Sequence, residues 1–159
     1  MDKVLTGTVR LKTTASIMKV IRFTDLEKRL RGKKASWKEL LAPAPGAVSV
    51  LAIGRDGCPG CVRQKPALAR LAKSMAGEYG GRISFSSVHI SCPGGSREES
   101  VRSKKTLGHY FYPTIVVLIR AKDTGPVEYY RAISPAMSEL RRYASNALRA
   151  AEALKKTLV

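Results

Sequence analysis

Apolar and polar residues follow different rhythms along this chain, and each change of rhythm marks an element. VSVLAIG, Val48 to Gly54, is short and almost wholly apolar, the pattern of a strand buried on both faces. RISFSSVHI alternates and reads as a second strand. FYPTIVVLI is a third, with a proline at its entrance, where a missing N–H need not break the ladder. AKDTGP is a turn, and VEYYRAI returns beside FYPTIVVLI as a hairpin strand. Val4 to Phe23 is rich in Val, Thr, Ile and Leu; TGTVRLKT alternates in part, IMKVIRF has a strand composition, and the stretch predicts one or two strands.

Between these runs the period lengthens to that of a helix. Thr24 is placed to cap a helix, with Glu27 three residues on as in a capping box. Leu26, Leu30, Trp37, Leu40 and Leu41 supply its apolar positions, and Gly32 divides it, so two short helices are expected between about Asp25 and Leu41. From Cys61, Val62, Leu68, Leu71, Ala72 and Met75 follow helical spacing; Pro66 should kink this helix, and Gly77, Gly80 and Gly81 end it. CPGGS is a loop, and Ser96 is placed to cap a helix from Arg97 to about Leu107. From Ser138, Leu140, Tyr143, Ala144, Ala147, Leu148, Ala151 and Leu154 trace one face of a long final helix.

The order is β, α, β, α, β, α, β, β, α. Early alternation favours parallel pairing and the late hairpin adds antiparallel strands, so the expected fold is α/β, a mixed central sheet with helices on both faces. The expected division is an N-terminal β extension over 1–18 and one domain over 19–159. No internal repeat or low-complexity segment interrupts it.

A length of 159 residues and 44% hydrophobic content suit a single core-bearing domain. No apolar run reaches the ~18 residues that span a membrane, so no membrane partner is expected. MDKVLTGTVRLKTTASIMKV lacks the apolar centre and cleavage site of a secretory leader, so a cytoplasmic location is expected. Asn146 is the only Asn and Gln64 the only Gln, a depletion of heat-labile amides that, with abundant Arg and Lys, suggests a thermophilic source. The net charge is +17, but the basic residues are scattered through EKRLRGKK, VRSKK, ELRRY and LKKTLV, and no RNA-recognition or zinc-finger signature accompanies them. Generic solvated charge is the expectation, with weak non-specific nucleic-acid binding at low salt.

Three cysteines are too few for a disulfide-stapled scaffold. Two of them stand three residues apart in Cys58-Pro59-Gly60-Cys61, at the junction between VSVLAIG and a helix. The first sulfur meets unpaired N–H groups and the positive end of the helix dipole, which favour the thiolate. Arg55, Arg63 and Lys65 add positive charge, which should hold the Cys58 thiol below its free-thiol pKa and make the pair more oxidising. The thiolate is the species that attacks a disulfide, so thiol–disulfide exchange is the chemistry this motif predicts, with no metal or organic cofactor. A zinc site would need two further ligands, with Cys92, His89 and His109 the Cys or His candidates. Cys92 reads as a semi-buried thiol at a strand end or as a regulatory or intermolecular disulfide partner; the two histidines read as structural, without an identifiable partner. Tyr110, Phe111 and Tyr112 are either an aromatic wall for substrate or core and loop filler.

Cys58-x-x-Cys61, Pro66 five residues after the second Cys, and Tyr112-Pro113-Thr114 before IVVLI together resemble the thioredoxin-like family over roughly Lys19 to Leu154. The resemblance implies Cys58 as the exposed nucleophile and Cys61 as the more buried resolving thiol. It implies a cis Pro113 facing the pair, and a Tyr112 backbone offered to an extended substrate segment. It also implies protein disulfides or dithiols as substrates and a redox partner protein. The chain departs from that pattern at Gly57, where thioredoxins carry Trp, and in the order Pro59-Gly60, which resembles glutaredoxins and disulfide-forming relatives. It departs again at Ala52, six residues before Cys58, in the usual place of a buried acid that helps deprotonate the resolving thiol; Asp56, in a loop, is a poor substitute. The competing reading is a non-redox binding module of the same fold, whose basic surface recruits nucleic acid or an acidic protein.

Overall fold

A computed structural model describes residues 18–121 and 125–156. The strand expected across TGTVRLKT, the 1–18 extension up to Met18 and the middle of the AKDTGP turn lie outside these residues.

VSVLAIGR forms β2 (Val48–Arg55), and its first six residues are buried. Such a strand needs neighbours on both edges and cover on both faces, and it has them. It pairs in parallel with β3 (Ile83–Ile90), Ala52 opposite Ser87, and antiparallel with β4 (Thr114–Ala121), Ala52 opposite Ile115. β1 (Met18–Arg22) runs parallel to β3 at one edge, and β5 (Gly125–Ile133) antiparallel to β4 at the other, with a register shift at Val117/Leu118. The order β1-β3-β2-β4-β5 is the mixed sheet expected from the sequence.

Side chains alternate across a strand, so β2 feeds two cores. Val48, Val50 and Ala52 face α3 (Pro59–Tyr79) and α5 (Met137–Lys156), meeting Leu68, Met75, Leu140 and Leu148. Leu51 and Ile53 face the other way, onto Phe23 and Leu26 of α1 (Phe23–Leu30), Trp37 of α2 (Trp37–Leu41) and Leu107 of α4 (Glu98–Leu107). Each fully buried Leu, Ile or Phe contributes ~1.5–3 kcal/mol of transfer free energy, so these two clusters hold the helices on.

Local signals differ from expectation at three places. α1 begins at Phe23 with Arg22 at its N-cap, so Thr24 lies inside the first turn rather than before it. Phe23 is fully buried against the sheet, and Arg22 pairs with Asp25 at 2.9 Å; packing and the ion pair set the start. Ser96 stands one residue outside the N-cap of α4, where its Oγ accepts from the Glu98 N–H at 3.4 Å. Val62, expected on the packed face of α3, is 72% exposed; the buried stripe starts at Leu68, a full turn and more beyond the cysteines. α3 continues through Pro66 and ends at Gly80, whose φ of 60° suits glycine.

Because β4 is antiparallel to β2, the entrance of β4 lies at the exit of β2: Ile53 pairs with Thr114, and Thr114 with Ile133. Topology thus brings the loop at Pro113 and the end of β5 to the start of α3.

Candidate functional site

β2 ends at Arg55, and Asp56-Gly57 turns the chain into α3. Gly57 takes φ +66°, a conformation that a side chain would strain. Cys58 is the N-cap of α3 and Pro59 its first residue, where a missing N–H costs nothing. Cys58 Sγ accepts from the Cys61 N–H at 3.1 Å, and the two cysteines form a disulfide across a Cα–Cα distance of 5.3 Å. One helical turn is what lets two sulfurs three residues apart meet. Cys61 Sγ lies 3.4 Å from the point a Cβ on Gly54 would occupy, so the bare strand end makes room for it. No acid stands in the first turn of α3, and Arg63 and Lys65 follow in the second.

The expected order of exposure is reversed in this oxidised form. Cys58 is buried, with 6% of its surface accessible, and Cys61 is half-buried. Cys58 Sγ is turned onto the helix end, between the Cys61 N–H and the Cys61 sulfur.

The Tyr112–Pro113 peptide is cis, and Pro113 Cδ lies 3.2 Å from the position a Cβ on Gly60 would take. Pro59, Gly60, Tyr112 and Pro113 therefore do come together with the cysteine pair. Pro113 O accepts from the Ser134 N–H at 3.0 Å, tying the loop to the end of β5. The backbone of Tyr112 makes no hydrogen bond among the described residues, which leaves it open for strand-like pairing.

The three aromatic residues divide. Tyr110 is 79% and Phe111 63% exposed. Tyr112 is an anchor: its hydroxyl meets Ser100 Oγ at 2.9 Å and Ser103 Oγ at 3.1 Å, and its ring stands edge-on to His109 at 4.8 Å. Arg55 and Lys104 lie over the same ring, at 5.4 and 5.7 Å. Arg131 donates to the carbonyls of Leu107 and Gly108 at 3.1 and 3.3 Å, capping α4 where the loop leaves it. Arg131 and Lys38 in turn hold the Glu128 carboxyl below the usual carboxylate range.

His109 is 2% exposed, and neither ring nitrogen has a hydrogen-bond partner. Burial, reinforced by Lys104 and Arg131, pushes its pKa down to about 4, so the ring is neutral near pH 7. His89, by contrast, does have a partner: its Nε2 meets Asp56 Oδ1 at 2.9 Å, while Asp56 Oδ2 accepts from the Cys92 N–H at 3.1 Å. Asp56 thus stitches the loop before Cys58 to the exit of β3 and is engaged there. Ala52 is buried among apolar side chains, with no acid in its place. Among the described residues no group of three or more His, Cys, Asp or Glu is gathered that could hold a metal ion.

Sequence reasoning missed the anchor of Tyr112, the cap by Arg131 and the Asp56 stitch. One signal was readable: Ser100, Ser103 and Leu107 recur at helical spacing in the polar stretch after CPGGS, marking an inward face. The other two contacts join residues more than twenty positions apart and leave no local trace.

No family model matches the sequence, and no curated protein matches it. Solved structures do resemble it. Thioredoxin of Trichomonas vaginalis superposes with a TM-score of 0.54 at 10% identity, over 83% of this chain and 98% of that one. Thioredoxin of Malassezia sympodialis (Mala s 13) gives 0.52 at 16% identity, over 82% and 90%. Thioredoxin of Fasciola hepatica gives 0.50 at 18% identity, over 82% and 99%. At such identities a likeness speaks for architecture alone, and with the five-stranded mixed sheet and its flanking helices it establishes that this chain has the thioredoxin-like fold.

Proposed function

We propose that the protein is a thiol–disulfide oxidoreductase acting on protein disulfides or dithiols through Cys58 and Cys61. The observation that carries this reading is the Cys58–Cys61 disulfide at the N-terminus of α3, lying beside Pro113. Three neighbouring thioredoxin structures of the same architecture support it.

In the reducing direction the Cys58 thiolate attacks one sulfur of the substrate disulfide. A Cys58–substrate bond forms, the substrate S–S bond breaks, and the departing thiolate takes a proton from solvent. Cys61, as thiolate, then attacks Cys58 Sγ. The Cys58–Cys61 bond closes, the second substrate sulfur leaves as thiolate, and two electrons have passed from the pair to the substrate. In the reverse direction a substrate dithiol is oxidised. The Cys61 N–H donated to Cys58 Sγ, the dipole at the helix end, and the Arg55, Arg63 and Lys65 charges favour the Cys58 thiolate. With Ala52 in place of a buried acid, the Cys61 proton goes to water. Pairing along Tyr112 would hold an extended substrate segment across the sulfurs.

The test is equilibration of the full chain in glutathione or dithiothreitol buffers, with trapped thiols counted by mass. A potential near roughly −270 mV or below means a reductase, and one nearer roughly −180 to −120 mV an oxidase or isomerase. In Cys61→Ser a substrate should remain trapped on Cys58, and in Cys58→Ser none should be trapped. A pair that never cycles overturns the reading.

A further inference from the structure

α3 breaks a rule of helix electrostatics. Helix N-termini favour acids, yet the first turn of α3 holds none, and Arg63 and Lys65 follow in the second turn. A first turn without an acid forgoes the stabilisation that the helix dipole offers, and departures of this kind collect at functional sites.

These cations are not neutralised within the fold. None of the ion pairs among the described residues includes Arg55, Arg63, Lys65 or Lys104. Asp56, the acid nearest in sequence, is held by His89 and the Cys92 N–H. Arg55 Nε is buried without a hydrogen-bond partner. Arg63 is exposed, and its Nη2 lies 4.0 Å from the point a Cβ on Gly60 would take, the point that Pro113 Cδ approaches to 3.2 Å. Its guanidinium therefore stands at the meeting of the cysteine turn and the Pro113 loop. The apolar side chains at this end of the molecule, Val62, Tyr110, Phe111 and Ile133, are all exposed.

We propose that the partner segment docking beside Cys58 is acidic and that Arg63 selects it, a proposal that rests on the thiol–disulfide reading above. The Arg63 fork matches a carboxylate in two parallel hydrogen bonds. Unpaired charges rimming a partly apolar site steer an oppositely charged partner and repel a like one. The exposed Arg63 guanidinium beside Gly60 is reachable from solvent. The class is an acidic cystine- or cysteine-bearing protein segment with apolar residues beside the sulfur.

The experiment uses the prereduced full chain in single turnover, with no other reductant. Two peptides carry one Cys in mixed disulfide with neutral mercaptoethanol and differ only in flanking residues, two Glu or two Lys. Bis(hydroxyethyl) disulfide is the neutral reference. At low salt the Glu peptide should react about tenfold faster than the Lys peptide, and the ratio should fall towards one near roughly 1 M salt, where screening reaches ~3 Å. Arg63→Glu should cut the ratio about threefold or more and Arg63→Lys keep it. A ratio between peptides cancels any change in thiol reactivity, because both meet the same Cys58. If the neutral disulfide reacts but the two peptides react alike, or if Arg63→Glu leaves the ratio unchanged, the charge selection is overturned and the oxidoreductase reading stands. If no disulfide is turned over, both fall together.

Discussion

Gly60 and Pro113 meet across 3.2 Å, measured from Pro113 Cδ to the point where a Cβ on Gly60 would stand. That separation is tighter than most carbon contacts, so a side chain at residue 60 would make the proline loop or the cysteine turn give by a few tenths of an ångström. Gly60→Ala should leave global stability within about 1 kcal/mol, since helix propensity gained offsets crowding. It should still push Pro113 away from the sulfurs, and a displacement of this kind should slow exchange with a protein disulfide about tenfold. Urea unfolding and single-turnover exchange on the same variant separate the two effects. Exchange at the parental rate would show that the loop has slack.

Tyr112→Phe removes the hydroxyl shared by Ser100 and Ser103 and strands the buried Ser100 side chain. The expected loss is about 1 kcal/mol, a fall in Tm of about 3 °C, because a partly buried hydroxyl is left without its partner. Thermal unfolding of the oxidised form checks it. An unchanged Tm would mean that water replaces the lost contact at no cost.

Arg131→Met keeps much of the apolar stem but removes the donors to Leu107 and Gly108. It also leaves Glu128, now held by Lys38 alone, without its nearer guanidinium. The end of α4 and the loop from Gly108 to Pro113 should open more readily, with amide exchange there about tenfold faster while β2 keeps its protection. Uniform loss of protection would point to general destabilisation instead.

His109 sets a pH dependence. Its pKa in the fold is about 4, below the ordinary 6.5, because burial first, then Lys104 and Arg131, oppose its charge. Above pH 6.5 the ring is neutral folded or unfolded and has no effect on stability. As pH falls from 6.5 to about 4 the unfolded chain takes up the proton and the folded chain does not, so stability is lost, on the order of 3 kcal/mol by pH 4. Below that the loss levels off, since both states are protonated. His109→Phe should remove this part of the slope; the difference between variant and parent, from urea unfolding at pH 7 and pH 4.5, isolates it from the carboxylates. Parallel slopes would show that His109 is protonated in the fold.

The elements were legible because their causes are local. A mostly apolar run from Val48 to Gly54 makes β2, two cysteines three residues apart sit within one helical turn, and Gly80 stops α3. The order of those elements was enough for a mixed sheet with helices on both faces, since a hairpin must pair antiparallel and strands joined by crossing helices pair in parallel. What the order of elements cannot carry is register. Pairing of Ile53 with Thr114 decides that Pro113 meets Gly60, and pairing of Arg55 with Ile90 decides that Asp56 reaches Cys92 and His89. Val62 was expected on the apolar stripe of α3, whereas the buried Leu68, Leu71, Ala72 and Met75 lie in phase with Gln64 and Cys61, and Val62 shares the exposed face of Lys65, Pro66 and Ala69. His109 shows the same division. Nothing near it in sequence tells that both ring nitrogens will be shut away from water; that follows from Tyr112, α4 and Arg131 closing around it once the strands are in place. Composition and spacing determined which reactive groups the chain carries and that two thiols can meet, and long-range packing decided which side chains surround them, because contact between residues far apart in sequence is a property of the assembled sheet.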